Sequence, residues 1–463
     1  MSRNIFNPFR SSRGVVHLST VNQPYTTYAP EAQKSNVRWM VCGLLFLATT
    51  INYMDRSVFS LIEPELHKLP FMQWDDNSPQ AFNDHFGNVL IFFQIAYGIG
   101  LLVSGRIIDK LGTKLGYALA IGLWGIASMS HVFVGSVAGF CLARFMLGIG
   151  ESGNFPAAIK ATSEWFPTEE RALATGIWNS GANFSSLIAP ILIPFVTSIY
   201  GWRAAFLTTG SMGMVWLVLW LLFPYNKLRR TATQTQANLE LPLKQYQGSS
   251  LGYVLKSRGL WAFAIAKGLT DPVWWFYLFW LPKYFHENYN LDLKHVGLPL
   301  ILIYCGSSVG SVGGGYIAGH FMRRGMDVNK GRKLAMLICA SFSIFAILVP
   351  VVHSRFPNNV WLAVGLLAIA AAAHQGWSAN LFATPSDIFP STTVSTVVGI
   401  GGAAGAIGGA LFTWFTKTVW LHHPFLIFLI AGCAYLTSLA IFNFLVPRLG
   451  QNLTVRVDEP TVP

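Results

Sequence analysis

Long apolar runs that recur along the chain constrain its fold more than any other feature of the sequence. About 20 apolar residues in a helix cross the roughly 30 Å hydrocarbon core of a bilayer. Six such runs precede a polar stretch and six follow it, at residues 39–62, 87–108, 115–134, 137–160, 171–199, 203–224, 259–285, 295–320, 334–353, 358–386, 393–418 and 425–447. The pattern predicts an all-α integral membrane protein with twelve transmembrane helices in two six-helix bundles, because helices satisfy their own backbone hydrogen bonds in lipid.

The charged residues lie mainly between the apolar runs. Only 11% of the residues are charged, which excludes a soluble, disordered or collagen-like chain. Of the 32 Lys and Arg residues, 23 fall in segments that an even number of spans places on one face, and 6 fall on the other face. The positive-inside rule therefore predicts that both termini are cytoplasmic, in a multi-pass protein of the cell (inner) membrane. This distribution explains the net charge of +12 without a nucleic-acid partner, for which the sequence has no motif.

The apolar runs also set the predicted segments of the 463-residue chain. These are a cytoplasmic N-terminal arm (1–38), a first bundle (39–224), a cytoplasmic linker (225–258), a second bundle (259–447) and a cytoplasmic tail (448–463). The arm has no apolar core of signal-peptide type, so we expect no cleaved leader. Five isolated cysteines lie inside apolar runs, which indicates neither a disulfide framework nor a metal site.

Two loops at equivalent places in the two halves are similar. The loop after the second run reads GRIIDKLGTK at 105–114, and the loop after the eighth reads GYIAGHFMRRG at 315–325. This likeness predicts parallel repeats, which hold a substrate near the midplane and rock around it. The first loop resembles the G-x-x-x-D-[RK]-x-G-x-[RK] signature of the major facilitator superfamily. The resemblance implies a cytoplasmic gate that includes Gly105, Asp109, Lys110 and Arg171.

Glycines recur at spacing four in two runs, at positions 306, 310 and 314 and at positions 401, 405 and 409. Small residues at this spacing form a smooth helical face that lets neighbouring helices approach closely and slide. Static packing and a moving interface both fit a single stripe. Two stripes, in helices expected to border a central cavity, favour a moving interface.

Six ionisable residues fall inside the predicted spans, where a charge costs about 2.5 to 3.5 kcal/mol on insertion scales. They are Asp55 and Arg56 in the first span, Arg144 and Glu151 in the fourth, and Lys267 and Asp271 in the seventh. Residues seven apart lie on one face of a helix, so the two charges of the fourth span share a face. Residues four apart can touch, so the two charges of the seventh span can form an intramembrane ion pair, which we rank below the other candidate site residues. Purely structural ion pairs remain an alternative for the fourth and seventh spans, and an interfacial pair for the first.

These six charges balance, so an anion that entered alone would leave a buried excess of negative charge. A proton on Asp55 or Glu151 would remove this excess, and it would offset the cost of about 2.3 kcal/mol per 100 mV for moving an anion against an interior-negative potential. We therefore expect an anion to move together with a proton, with no other cofactor.

The spans also carry amides and aromatic rings suited to a polyhydroxylated skeleton: Asn52, Tyr53, Gln94, Tyr97, Trp178, Asn179, Asn183, Trp274, Trp275, His374, Gln375, Trp377 and Asn380.

Longer segments extend the resemblance over nearly the whole chain. INYMDR at 51–56, RFMLGIGESGNFP at 144–156, EWFPTEERALATG at 164–176 and GWRAAF at 201–206 resemble the anion:cation symporter family of that superfamily. DPVWWFYLFWLPKY at 271–284 and HQGWSAN at 374–380 are similar to its hexuronate transporters. The resemblance implies a monomer that imports a sugar acid such as galacturonate, glucuronate, galactonate or glucarate with a proton.

The resemblance also implies roles for individual residues. Arg56 would clamp the substrate carboxylate, Asp55 and Glu151 would carry protons, and Arg144 would pair with Glu151. The residues that would line the sugar are Tyr53, Gln94, Tyr97, Asn179, Trp275, Trp377 and Asn380. Galactonate-type members have Asn where Gly402 falls here, so specificity for galactonate is not implied.

Other functions remain open at this point. A transporter of aldonates or aldarates, or an exporter, fits the same features. We do not expect a membrane-embedded enzyme, because it would need a nucleophile with its base, a cluster of metal ligands or a facing pair of carboxylates. A nucleotide-driven pump would need a G-x-x-x-x-G-K-[ST] loop, which the sequence lacks.

Overall fold

A computed structural model describes residues 36–72, 79–228, 251–291, 297–419 and 424–449. Within these ranges the chain forms helices joined by short turns, without a strand. The N-terminal arm up to residue 35, most of the predicted linker and the tail from residue 450 lie outside the described residues. The segment boundaries predicted there remain predictions.

Each of the twelve predicted runs corresponds to one helical span. The spans, numbered in chain order, are span 1 (Val37–Leu61), span 2 (Pro79–Leu111), span 3 (Thr113–Ser130), span 4 (Val137–Glu151 and Asn154–Trp165), span 5 (Thr168–Tyr200), span 6 (Trp202–Leu222), span 7 (Arg258–Tyr289), span 8 (Gly297–Arg323), span 9 (Val328–Ser343 and Leu348–Arg355, joined by the 3-10 turn Ile344–Ile347), span 10 (Val360–Ile388), span 11 (Val394–Val419) and span 12 (Pro424–Leu445). Shorter helices cover Glu63–Leu66, Pro70–Met72, His131–Phe133 and Leu251–Lys256. The predicted all-α fold is confirmed.

In the described part of the chain, ten helices are long and apolar enough to cross a membrane by length and composition. Spans 4 and 7 are not among these ten. Span 4 is divided by a turn at Ser152 and Gly153 into two helices of 15 and 12 residues. Large apolar side chains such as Ile191 and Val309 are exposed on the outside of the bundle. Such a surface is stable when lipid covers it.

Short turns set the up-and-down course of the first half. Spans 2 and 3 meet at Gly112, and spans 5 and 6 meet at Gly201, each with φ of 81°. Glycine adopts this left-handed conformation without the steric cost that a Cβ would bring. Span 4 begins where Ser136 accepts a hydrogen bond from the Gly139 amide at 3.1 Å, an N-cap that satisfies one of the free first-turn donors.

The two halves meet along two pairs of helices, span 2 with span 11 and span 5 with span 8. An even number of spans places the start of span 1 and the end of span 12 at the same end of the bundle, called the terminal face below; the other end is the opposite face. The turn between spans 2 and 3 also lies at the terminal face.

The two glycine stripes pack inside the second half. The stripe of span 8 faces span 10, where Gly310 contacts the backbone of Ala372 and Gly314 contacts that of Gly376. The stripe of span 11 faces span 7, with Gly405 against Asp271 and Gly409 against Trp275. Both contacts lie within the second half, so these stripe positions do not form the interface between the halves. That the stripes let neighbouring helices slide stays a prediction.

Candidate substrate-binding site

A cavity of about 110 Å³ lies between the two halves. The first half lines it with Tyr53, Arg56, Tyr97, Leu101, Phe155, Asn179 and Ala182, and the second half with Lys267, Asp271, Trp274, Trp275, His374, Gln375, Ser378, Phe382, Val398, Gly402 and Ala406. Charged, amide, hydroxyl and aromatic groups thus face one space. This lining suits a small polar molecule, since ligand sites combine apolar walls with a few placed polar groups.

Arg56 supplies the positive charge on the first-half wall. Its Nε donates to Glu151 Oε2 at 2.6 Å, and its Nη2 donates to Asn52 Oδ1 at 3.1 Å. The guanidinium carbon lies 4.8 Å from the ring centre of Tyr53 and 4.3 Å from that of Tyr97. These contacts hold the guanidinium at the cavity with its side chain 17% exposed, so part of its donor fork stays open to a ligand.

The partner of Glu151 differs from the prediction. Arg144 was expected to pair with it, but Glu151 pairs with Arg56 of span 1 instead. The Arg144 guanidinium lies 4.5 Å from the ring centre of Phe59, and within the described residues its Nε and Nη2 have no hydrogen-bond partner. Sharing a face of span 4 did not produce a pair, because a neighbouring helix brought a closer guanidinium to the carboxylate.

Asp55 lies away from the cavity, inside the first half. Ser128 of span 3 donates to its Oδ1 at 2.7 Å, and Ser128 also lies 3.4 Å from the Thr209 hydroxyl of span 6. Asp55 is fully buried, and its Oδ2 has no hydrogen-bond partner in the described part of the chain. Adjacent positions on span 1 therefore serve two sites, because a helix turns by about 100° per residue.

Lys267 and Asp271 form the predicted pair within span 7. Lys267 Nζ lies 2.7 Å from Asp271 Oδ2, and it also lies 4.0 Å from the ring centre of Phe382. The Asp271 side chain is 20% exposed, whereas that of Lys267 is 6% exposed. The carboxylate thus faces the cavity more openly than the ammonium does.

Aromatic and amide groups complete the wall of the second half. The ring of Trp274 stacks on that of His374 at 5.2 Å, and His374 Nδ1 lies 2.6 Å from the Tyr435 hydroxyl. Across the cavity, Asn179 of span 5 donates to Gln375 Oε1 of span 10 at 2.9 Å. This hydrogen bond joins the two halves beside the ligand space.

The structure places the other predicted sugar-lining residues in three groups. Tyr53, Tyr97, Asn179 and Trp275 line the cavity as predicted, and Gln94 lines an adjoining one. Trp377 does not reach the cavity: it is fully buried and its indole N–H donates to Thr270 at 3.2 Å. Asn380 is likewise buried, and its amide donates to the backbone carbonyls of Gly314 and Gly376. Both predictions are corrected, because these side chains bind spans 7 and 8 instead of facing the cavity.

A second cavity of about 730 Å³ adjoins the first between spans 2 and 11. The two cavities share Arg56, Tyr97, Trp275 and Ala406. From there the second cavity runs past Phe93 of span 2 to Trp414 of span 11, away from the terminal face. Its lining also includes side chains exposed on the outside of the bundle, such as Ile99 and Ile407, so this cavity opens sideways between the two spans as well.

At the terminal face, the end of span 2 binds the start of span 11. Asp109 Oδ2 accepts hydrogen bonds from the Thr396 amide at 2.7 Å and the Thr396 hydroxyl at 2.6 Å. Its Oδ1 accepts from the Ser395 amide at 3.3 Å and from Lys160 Nζ at 2.9 Å. A carboxylate at a helix N-terminus satisfies free amides and interacts favourably with the helix dipole. Gly105 packs directly on the Ser395 backbone. These contacts of Asp109 and Gly105 between spans 2 and 11 together are called the 2/11 contact.

The corresponding 5/8 contact joins the end of span 8 to the start of span 5. Gly315 packs on the carbonyl of Ala172, and Gly319 packs on that of Glu169. A charged cluster lies beside it, where Asp387 of span 10 pairs with Arg332 at 2.9 Å and with Arg171 at 3.5 Å.

Two of the four predicted gate residues make polar contacts between the halves. Asp109 reaches span 11, and Arg171 donates to the Ser386 carbonyl at 2.9 Å. Gly105 contributes close packing, whereas Lys110 is exposed. With both contacts formed, the halves are closed together at the terminal face.

Comparison with known proteins assigns the chain to a family. A profile of the Major Facilitator Superfamily matches residues 45–413. The chain belongs to this superfamily. Among solved superfamily structures, the proton:xylose symporter XylE bound to 6-bromo-6-deoxy-D-glucose has a TM-score of 0.73 at 16% identity, covering 90% of this chain and 97% of that one. This likeness confirms the predicted fold.

Relatives within the superfamily include two named for acidic sugars. The chain is 29% identical to the hexuronate transporter of Escherichia coli K12 over 385 residues, which cover 81% of this chain and 86% of the relative. It is 27% identical to the galacturonate transporter of Dickeya chrysanthemi over 289 residues, which cover 61% and 81%. The resemblance to hexuronate transporters seen in the sequence motifs is thus confirmed over most of the chain.

Several groups that line the cavity have no role implied by the resemblance. Trp274, His374 and Gln375 carry a signal in the sequence, since they are polar or amphipathic groups inside spans. Phe155 and Phe382 carry no such signal, because a phenylalanine in an apolar run looks like any other packing residue. Their rings meet across the halves at 5.3 Å. In the described part of the chain, no group of three His, Cys, Asp or Glu side chains is arranged to hold a metal ion.

Proposed function

We propose that this protein is a secondary active transporter that takes up a sugar-acid anion, such as galacturonate or glucuronate, together with a proton by alternating access. The relatives named for hexuronate and galacturonate transport support the substrate class. The observation that carries the coupling is the ion pair between Arg56 and Glu151, 2.6 Å long, at the edge of the cavity.

Competition for Arg56 provides the physical basis of coupling. A substrate carboxylate binds best to a guanidinium that offers two parallel donors. Arg56 already donates its Nε to Glu151. In the proposed mode the ligand binds along the Nε edge of the guanidinium, and there it displaces the Glu151 carboxylate. Glu151 is fully buried, and an unpaired charge there is unstable unless it takes up a proton. Binding the anion therefore promotes binding of a proton.

The remaining charges of the first half keep the proposed supporting roles. Asp55 is buried with one oxygen unpartnered within the described residues, so it is the second candidate proton carrier. Arg144 lies within electrostatic reach of both Asp55 and Glu151. Its positive charge offsets part of the negative charge that these carboxylates bring when neither is protonated.

The charge distribution supports one orientation of the protein in the membrane. We propose that the terminal face is cytoplasmic, because segments on that side carry 23 of the 32 Lys and Arg residues. The described conformation is then closed to the cytoplasm, with its larger cavity running toward the outside. An inward proton gradient would drive uptake in this orientation, and a monomer carries every part of the site.

The test of coupling is Glu151→Gln, which imitates the protonated carboxyl permanently. We expect this variant to bind galacturonate and to exchange it in counterflow, because the loaded carrier reorients. It should not accumulate galacturonate under an inward proton gradient. In the wild type, apparent affinity should fall as pH rises, because binding requires a proton; in Glu151→Gln it should stay constant.

Controls make this experiment decisive. Glu65→Gln is the matched control, because Glu65 pairs with Lys68 on the exposed surface at 2.6 Å, and it should accumulate substrate normally. Both assays use one liposome preparation with labelled galacturonate. Uphill accumulation by Glu151→Gln at the wild-type level would move the coupling role to another carboxyl, with Asp55 tested next.

A second substitution tests the anion site itself. Arg56→Lys keeps a positive charge but loses the planar fork, so we expect apparent affinity for galacturonate to fall at least tenfold. Equilibrium binding to the purified protein measures this directly. Near-normal affinity would show that Arg56 is only a counter-ion for Glu151.

A further inference from the structure

The two walls of the cavity present opposite charges to a ligand. On the first-half wall, Arg56 is the exposed cation, because Glu151 behind it is fully buried. On the second-half wall, Asp271 is the more exposed member of its pair, at 20% against 6% for Lys267. A ligand that spans the cavity therefore meets a guanidinium at one end and a carboxylate at the other.

The surroundings of Asp271 hold its carboxylate in this position. Gly405 of span 11 lies directly against the carboxylate, where any larger side chain would displace it. Lys267 approaches from one turn below at 2.7 Å, and Phe382 covers the ammonium at 4.0 Å. The ammonium is thus engaged by its own helix and by an aromatic face, and it does not offer its charge freely to a ligand.

We propose that Asp271 makes the site selective for monoanionic sugar acids, which carry hydroxyl groups at the end opposite their carboxylate, and that it rejects aldarates, which carry a carboxylate at both ends. An ionised carboxylate accepts hydrogen bonds from hydroxyl groups and donates none. It repels a second anionic group placed opposite it, and juxtaposed like charges suppress binding strongly. This inference rests on the proposed function, because it assumes that Arg56 binds the first carboxylate.

Removal of the carboxylate charge should change this selectivity. Asp271→Asn removes the repelling charge and leaves the Lys267 ammonium without its carboxylate, so affinity for glucarate relative to glucuronate should rise at least tenfold. Lys267→Arg keeps both charges of the pair, so the same ratio should stay within threefold. Glu65→Gln, which removes a carboxylate on the exposed surface outside the cavity, should leave the ratio within twofold.

The experiment measures equilibrium binding of glucuronate, glucarate and glucose to each purified variant at one pH, after size-exclusion chromatography has shown that the variant is folded. A rise of the ratio in Asp271→Asn with little change in Lys267→Arg supports the assignment. A ratio unchanged in Asp271→Asn, or a rise as large in Lys267→Arg, overturns it. If the wild type binds none of the sugar acids, the proposed function itself fails. Wild-type binding of glucuronate with no shift in the variants rejects only the role of Asp271.

Discussion

The two contacts that close the terminal face occupy equivalent places in the two halves but use different chemistry. In the 2/11 contact, one carboxylate, Asp109, binds two backbone amides, a hydroxyl and Lys160. In the 5/8 contact, the residue that aligns with Asp109 is Gly319, which packs on the Glu169 carbonyl. Repeated topology has thus preserved the helix pairing while the polar groups diverged.

The neighbouring residues explain why a carboxylate suits one contact and not the other. Span 5 begins with Glu169 and Glu170 in its first turn, so its N-terminus already carries negative charge. A carboxylate from span 8 would be repelled there. Span 11 has no acidic residue in its first turn, and Asp109 supplies that charge from the other half.

The contacts also differ in how far they depend on one group. Removal of Asp109 would leave Lys160 almost fully buried without its carboxylate. In the 5/8 region, Asp387 is shared by Arg332 and Arg171, so the loss of one arginine leaves the carboxylate paired. The comparison predicts that a single substitution disrupts the 2/11 contact, whereas the charged cluster at the 5/8 contact tolerates the loss of one arginine.

Asp109→Asn should have the largest effect. It leaves the Lys160 charge uncompensated, a change that costs about 3 to 5 kcal/mol in buried pairs, and it weakens the cap of span 11. The closed terminal face loses stability while the sugar site is untouched. We expect the initial rate of uptake to fall at least tenfold and equilibrium affinity to change less than threefold. Affinity lost in proportion to rate would argue that Asp109 supports the binding site instead.

Gly105→Ala and Gly315→Ala should have the next largest effect, similar for both. A Cβ at either position meets the backbone of the opposing helix, and overpacking costs about 1 to 3 kcal/mol. Accessibility to a membrane-impermeant maleimide at Ala406→Cys, in a cysteine-free background, should rise at least fivefold from the terminal face. Gly43→Ala is the matched control, because a Cβ there meets nothing within 4 Å. A large effect at only one of the two glycines would show that one contact dominates closure.

Arg171→Gln should have a smaller effect than Asp109→Asn. Arg332 remains 2.9 Å from Asp387, so the carboxylate stays paired, and the main loss is the hydrogen bond to the Ser386 carbonyl. A lost hydrogen bond from a charged group costs about 1.5 to 3 kcal/mol when buried and less when water replaces it. We expect uptake to fall by about threefold in the liposome assay. A drop as large as that of Asp109→Asn would remove the proposed difference between the contacts.

Lys110→Gln should have the smallest effect. Lys110 belongs to the signature loop and was predicted to take part in the gate, yet its side chain is exposed at the end of span 2. Exposed charges contribute little when water screens them. Uptake should stay within twofold of the wild type. A tenfold loss would indicate a contact that forms only when the terminal face opens.

The positions of the spans and the intramembrane charges were predictable from the sequence because both depend on local composition. An apolar run of about 20 residues has only one stable form in lipid, so the twelve helices followed from the runs. A charge inside such a run is rare enough to stand out, which is how Arg56, Glu151 and Asp271 were found. The pair between Lys267 and Asp271 was also predictable, since both residues lie on one helix.

Which charge meets which across helices was decided by the tertiary structure alone. Glu151 shares a helix face with Arg144, but the approach of span 1 gives it Arg56 instead. Trp377 and Asn380 lie in a span that borders the cavity, yet the rotation of span 10 directs them to spans 7 and 8. The glycine stripes were visible in the sequence, but only packing showed that they face neighbours within their own half. A helix about 10 Å across presents a new direction at each residue, so the partner of a side chain depends on how whole helices are placed and rotated, and no local pattern encodes that placement.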